Sequence, residues 1–198
     1  YGGHPSKIHS LPNWSMAPTE VITQRAPRPS FDQNSFNILF AGNLGKAQSL
    51  QTIIDTAAIL SEAPRLKIYL LGEGSEKKWA MSICKKMKIN NIHFLDGCPT
   101  VEIPYYTSQC QALLVTLIED KHISLVIPSK VQTYLAAGRP ILAAVNGEAS
   151  KILNESTKKL NESDDILKLP DSLLTATTTH EIYWRHFQLN SPSNKVAQ

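Results

Sequence analysis

From Phe36 onward, short apolar runs alternate with longer stretches whose apolar residues recur at helical spacing. Residues 36–42 (FNILFAG) read as a strand. Residues 50–61 read as a helix, with Leu50, Ile53, Ile54, Ala57, Ala58 and Leu60 on one side. The alternation then repeats. Strands are predicted at 66–72, 91–95, 112–117 and 140–145, and helices at 76–87, 101–109, 129–137 (closed by Gly138) and 148–155. Strand runs that are apolar on both faces, each followed by a helix, signal a parallel sheet covered on both sides. The pattern predicts an α/β, doubly wound, Rossmann-like domain over residues 36–155. Such a fold binds its ligand outside the carboxyl ends of the strands, where the strand order reverses.

The flanks carry no such period. Five of the 12 prolines (Pro5, Pro12, Pro18, Pro27 and Pro29) precede residue 30, so residues 1–35 read as an extended interdomain linker. Residues 156–198 read as a polar C-terminal extension ending in a helix over 181–189 that carries Tyr183, Trp184 and Phe187. The first residue is Tyr1 rather than Met, and further sequence is expected to precede it.

Composition narrows the classes. With 42% hydrophobic and 19% charged residues, the 198-residue chain is not disordered throughout. A core of this size buries roughly 70% of the unfolded chain's surface and needs no disulfide or structural metal. Cys84, Cys98 and Cys110 lack metal-ligand spacing and read as buried or free thiols in a reducing, cytoplasmic compartment. The net charge of +3 comes from scattered basic residues, which argues against nucleic acid as a partner. No apolar run reaches the roughly 18 residues of a membrane span and no signal peptide is evident, so any membrane contact is expected to be peripheral.

Chemistry is expected at the strand-to-helix junctions. The first holds Gly42, Asn43, Gly45, Lys46 and Gln48 (AGNLGKAQ), where glycines let the backbone approach a phosphate and Lys46 adds charge; a plain glycine turn with a solvated lysine is the alternative. Its spacing matches neither GxGxxG nor GxxxxGK[ST]. The second (Gly72, Glu73, Gly74) and the third (Asp96, Gly97) read first as tight turns, although Asp96 could receive a hydroxyl or a base edge. The fourth is the most informative. Pro128 fixes the chain's entry, Ser129 is the expected N-cap, and Lys130 falls in the first helical turn. A cation is unfavourable at the positive end of a helix dipole, which makes sense if an anion binds there; otherwise the lysine bends away into water.

Residues 127–140 (IPSKVQTYLAAGRP), followed by Asn146, Gly147, Glu148 and Ala149, resemble the retaining GT-B glycosyltransferases of family 4, which use nucleotide sugars. Residues 40–48 (FAGNLGKAQ) are similar to that family's first donor-domain junction, Leu11 to Trp14 to the segment entering its interdomain linker, and 183–187 (YWRHF) to its closing helix. The resemblance implies the C-terminal, donor-binding half of a hexosyl-type enzyme. On that resemblance the acceptor-binding N-terminal domain is expected to be missing from this stretch of sequence, and the isolated chain to bind donor without turnover. It further implies a UDP- or GDP-sugar as substrate, no cofactor, and retention at the anomeric centre. The acceptor would be a saccharide or a lipid-linked molecule, the latter bringing the protein to the inner face of the membrane.

Position by position, the resemblance puts Gly42, Asn43 and Gln48 around the donor diphosphate, where many members carry Arg and Lys in place of Asn43 and Gln48, and lets Lys46 supply the missing charge. Gly45 and Gly72, in the first two junctions, are also read as donor-binding residues. Pro128, Ser129 and Lys130 would face the phosphates or the sugar. Thr133 stands where members usually have a glutamate for the ribose hydroxyls, and Leu125 replaces a second acidic residue. The region between Glu148 and Tyr183 is also shorter than in typical members. No DxD pair is present, and Asp164 and Asp165 read as a solvated turn rather than a metal site. His93 reads as a satisfied structural histidine and His122 as a residue near the cleft. No catalytic residue is assigned. A non-catalytic nucleotide- or protein-binding descendant of the fold is the alternative reading, favoured by Thr133 and Leu125. An unrelated nucleotide-cofactor module, such as an oxidoreductase domain, is disfavoured by the missing GxGxxG.

Overall fold

The computed structural model describes residues 28–63 and 65–160. Its strands are β1 (Phe36–Ala41), β2 (Leu66–Leu71), β3 (Ile92–Leu95), β4 (Ala112–Thr116) and β5 (Ile141–Ala144). All pair in parallel, in the order β3-β2-β1-β4-β5. The helices are α1 (Leu50–Ile59), α2 (Lys77–Met87), α3 (Ile103–Thr107), α4 (Ser129–Ala136) and α5 (Gly147–Leu160). This is the expected Rossmann-like α/β arrangement.

Alternation along the strands builds two cores. Ile38 and Phe40 point to one face, where they meet Ile53, Ile54 and Ala57 of α1 and Ala80 and Cys84 of α2. Leu39 and Ala41 point to the other, with Val131 and Tyr134 of α4 and Ala149 and Leu153 of α5. The order in which strands are added across the sheet reverses after β3, so β1 and β4 are neighbours at a topological switch point.

Where element bounds differ from the sequence reading, local chemistry explains it. The helix expected over 101–109 is a 3₁₀ turn (Thr100–Glu102) followed by α3, because Pro104 can occupy only the start of an α-helix. The helix expected over 148–155 runs on to Leu160, through residues too polar to show an apolar period. In the segment read as linker, residues 28–35 pack onto the domain. Phe31 is buried and stacks on Tyr69, with ring centroids 3.8 Å apart. Asp32 pairs with Lys67 at 2.7 Å, and its carboxyl is held at about 2, first by that bond and then by the Asn34 amide and Ser35 hydroxyl. A lone buried phenylalanine leaves no periodic trace in a proline-rich stretch.

His93 stacks on Tyr69 (5.0 Å between centroids), but its buried Nε2 makes no hydrogen bond, contrary to the satisfied histidine expected. Burial, then the charge of Lys67, lowers its pKa. Leu11 to Trp14, Asp164, Asp165 and the helix expected over 181–189 lie outside the described residues. Among the described residues, no helix is long and apolar enough to cross a membrane.

Candidate functional site

A cleft of about 810 Å³ opens at the carboxyl end of the sheet, over the switch point. Gly42, Asn43, Gln48, Gly72, Pro128, Ser129, Lys130 and Thr133 all line it. All four junctions singled out in the sequence thus contribute to one cavity, the third through Gly97, although their residues are up to 91 positions apart between Gly42 and Thr133. Lys46 and Gly45 do not line it. Lys46 is exposed, in a 3₁₀ turn (Lys46–Gln48), so it does not supply charge to this cavity as expected. Gly45 acts at one remove, its amide donating to Gln48 Oε1 (3.2 Å), which also accepts from the Asn43 side-chain amide (3.3 Å).

The floor depends on two glycines. Gly42 (φ +133°) and Gly72 (φ +149°) follow β1 and β2 in conformations that side chains rarely adopt. A Cβ on Gly72 would overlap the Gly42 carbonyl oxygen, and one on Gly42 would lie 3.3 Å from Lys130 Cε and Nζ. The first junction is tied to β4 as well: the Thr116 hydroxyl donates to the Gln48 carbonyl, and the Ile118 amide to that of Ala47 (3.0 Å). Tyr134 pins α4 to the end of β1, its buried hydroxyl accepting from the Ala41 amide at 2.8 Å.

Lys130 is the electrostatic centre. Helix α4 begins with Pro128 at the cap position and Ser129 already helical, so Ser129 is not the N-cap expected, and no side-chain cap is formed. The first amides of a helix have no partner within it and point out of its end. Lys130 lies at that end, and its Nζ is buried, makes no hydrogen bond, and rests 3.4 Å from the centroid of the Phe40 ring. Cation–π attraction contributes only about 0.5–2 kcal/mol. Burial wins, lowering the pKa of the ammonium from 10.5 to about 7. The lysine has not bent into water. Lys130 and Glu73 are the only charged residues among those lining the cleft.

Glu73 is already engaged. Lys77 Nζ bridges Glu73 (2.7 Å), Asp96 (3.0 Å) and the Leu95 carbonyl (3.1 Å), and Glu73 also accepts from the Gly97 amide (3.3 Å). Burial pulls Lys77 down, but the two carboxylates outweigh it and its pKa is raised. The Lys77 hydrogen bond, and then the Gly97 amide, lower that of Glu73. The second and third junctions are therefore braced to each other, with Asp96 turned toward Lys77.

The remaining wall was not expected as site: Cys98, Pro99, Thr100 and Ile103 on one side, and Leu117, Ile123 and Val126 on the other. Residues of these types carry no distinctive signal. Burial, followed by the charge of Glu102, raises the pKa of the Cys98 thiol, which does not favour a thiolate nucleophile. Cys84 and Cys110 are buried and free, and burial pushes Cys110 up to about 12. Leu125 is 71% exposed and does not line the cleft. His122 does not line it either; its amide donates to Asp120 at 2.8 Å.

A parallel sheet with a glycine-floored cleft at its switch point, a helix start and one buried cation is the arrangement in which doubly wound folds bind their ligands. Residues 22–166 match the family described as Glycosyl transferases group 1, and the chain belongs to that family. No curated protein matches it. Among solved structures, it is similar to the pneumococcal O-GlcNAc transferase GtfA, solved with UDP and GlcNAc (TM-score 0.50, 14% identity, 60% of this chain and 22% of that one). It is also similar to Anabaena HepE, solved with UDP (TM-score 0.50, 18% identity, 60% of this chain and 32% of that one). These likenesses show the fold, that of the GT-B glycosyltransferases. The chain spans about a fifth to a third of the length of those proteins.

Proposed function

We propose that this chain is the donor-binding half of a retaining, family 4 glycosyltransferase, which takes a nucleoside diphosphate sugar and passes the sugar to a saccharide or lipid-linked acceptor held by a second domain. The observation that carries this reading is Lys130. An ammonium buried without a partner is costly, and here it stands at a helix start beside Gly42, where a diphosphate would supply the missing counter-charge. Gly42, Asn43 and Gln48 frame the same oxygens from the β1 side, and Ser129 and Thr133 stand beside them on α4. In transfer, negative charge grows on the diphosphate leaving group, and pre-placed amides and one lysine stabilise that charge in a cleft of low polarity.

The acceptor and the groups that orient it belong to the second domain, which would place the complete enzyme at the cytoplasmic face of the membrane where the acceptor is lipid-linked. UDP and UDP-glucose are the first ligands to try, because HepE was solved with both. Titration calorimetry of the chain against UDP-, GDP- and ADP-sugars tests the reading. Saturable binding of one class, persisting in EDTA, supports it, and absence of binding to all of them removes it. A non-catalytic descendant is the second reading. It is favoured by Thr133 in the cleft and by the absence of any unengaged carboxylate among the lining residues.

A further inference from the structure

The outward side of α2 has a character that the scattered basic residues of the sequence did not suggest. The inner side of this helix is used up: Ala80 and Cys84 pack on the sheet, and Lys77 is buried in its ion pairs beneath the cleft. The outer side exposes Lys78, Lys85, Lys86 and, at the helix end, Lys88. Trp79 (37% exposed) and Met81 (48%) border them, while Met87 (49%) lies toward the other side of the helix at its end. No aspartate or glutamate occurs between Glu76 and Asp96. One helix therefore presents four uncompensated cations in a chain whose whole net charge is +3.

At 100° per residue, Lys78, Ser82, Lys85 and Lys86 share one stripe, with Trp79 on one border of it and Met81 on the other. Lysines flanked by an indole and a thioether suit one surface better than others. Headgroup phosphates take the ammonium groups, while the lysine stems, the indole and the Met81 thioether enter the boundary between headgroups and acyl chains. A purely polar acidic partner would leave the exposed Trp79 and Met81 unmatched. We propose that the outer side of α2 is a docking surface for an anionic phospholipid bilayer, holding the domain at the membrane through its α1/α2 layer and leaving the cleft, at the carboxyl end of the sheet, open to solvent.

This contact involves none of the cleft residues and requires no bound nucleotide, so its failure and the failure of the donor-site reading are separable. The test is flotation of the full chain with vesicles of phosphatidylcholine alone and with about 30 mol% phosphatidylglycerol, at about 0.15 M salt. The expected result is partition into the anionic vesicles only. The triple variant Lys78→Glu/Lys85→Glu/Lys86→Glu should lower that partition on the order of a hundredfold, with an unchanged circular dichroism spectrum and melting temperature. In a Trp14→Phe/Trp184→Phe background, Trp79 emission should shift to the blue on binding and be quenched by brominated acyl chains. Partition that is absent, equal on neutral vesicles, or indifferent to the triple variant overturns the proposal. So does a Trp79 left unquenched, or lysine-dependent binding to poly(U) without binding to vesicles.

Discussion

The ammonium of Lys130 lies 3.4 Å from the centre of the Phe40 ring, so a residue of α4 covers the penultimate side chain of β1. The pair ties proton binding to folding. Burial holds Lys130 at about 7 in the folded chain, against an ordinary 10.5. Between those values the unfolded chain binds a proton that the folded chain does not, so stability rises with pH through this window and is lost as pH falls through 7. The slope from this group is at most ~1.4 kcal/mol per pH unit. Urea denaturation between pH 7 and 9 should show it, and Lys130→Met, which keeps the stem without the charge, should be more stable near neutrality and should flatten the difference. Parallel pH profiles for the two proteins would contradict it.

The same group predicts proton uptake on ligand binding. A diphosphate beside Lys130 favours the charged form, and the diphosphate of a nucleotide sugar has no ionisation of its own near neutrality. Nucleotide-sugar affinity should therefore fall as pH rises from 7 to 9. Calorimetry in two buffers of different ionisation enthalpy should show a fraction of a proton taken up per ligand. Heats that do not depend on the buffer would place the diphosphate away from Lys130.

Two lysines that look alike in the sequence should behave differently. Lys130→Ala should weaken nucleotide-sugar binding by roughly 1.5–3 kcal/mol, the range of a charged hydrogen bond. Lys46 is exposed and outside the lining of the cleft, so Lys46→Ala should change binding by less than about 0.5 kcal/mol at moderate salt. Equal losses in both variants would mean that the first junction rearranges around the ligand to bring Lys46 in.

The glycines make a similar contrast in stability. Gly72→Ala combines φ +149° with an overlap onto the Gly42 carbonyl, and should destabilise the fold by more than about 4 kcal/mol or prevent expression. Gly138, past the end of α4, has φ +62°, and a Cβ there would meet nothing within 4 Å. Gly138→Asn should cost only about 1 kcal/mol, because asparagine tolerates left-handed backbone. Denaturant midpoints of both variants decide the matter, and a mild Gly72→Ala would show that β1 and β2 can separate at the floor of the cleft.

What the sequence made legible here is what is local. Apolar runs such as 36–41 and 66–71 have the period of buried strands, and their alternation with helices such as α1 implies the doubly wound sheet and the end at which it binds. Gly42 and Lys130 stood out because a glycine after a strand and a lysine at a helix start both suit an approaching anion, although a plain turn and a solvated lysine fit the same letters. What was hidden depends on long-range placement. Whether Lys46 or Lys130 faces the cleft is set by a 3₁₀ turn and by a ring 90 positions away in the case of Lys130 and Phe40. The apolar wall of Ile103, Leu117 and Val126 is indistinguishable from core in sequence, since the same side chains serve both. Phe31 was hidden for the opposite reason, being one apolar anchor in a polar stretch.

Under the proposed donor-site reading, Thr133 is the position that tests whether the cleft holds a ribose. It lies one helical turn beyond Ser129, lines the cleft, and is partly exposed, so a longer side chain there has room to reach out. The Lys130 ammonium, one turn earlier on α4, makes no hydrogen bond and could face a carboxylate introduced at 133. Two effects therefore compete in Thr133→Glu. A carboxylate that receives two sugar hydroxyls should tighten nucleotide-sugar binding by about 1 kcal/mol or more. A carboxylate that instead pairs with Lys130 removes the cation from the diphosphate and adds repulsion, so affinity should fall. The expected outcome for a donor site is tightening for the nucleoside diphosphate sugar, with no gain for inorganic pyrophosphate, which has no ribose to offer. Loss of affinity for both ligands would mean that position 133 faces the phosphates rather than the ribose, and would move the weight to the non-catalytic reading.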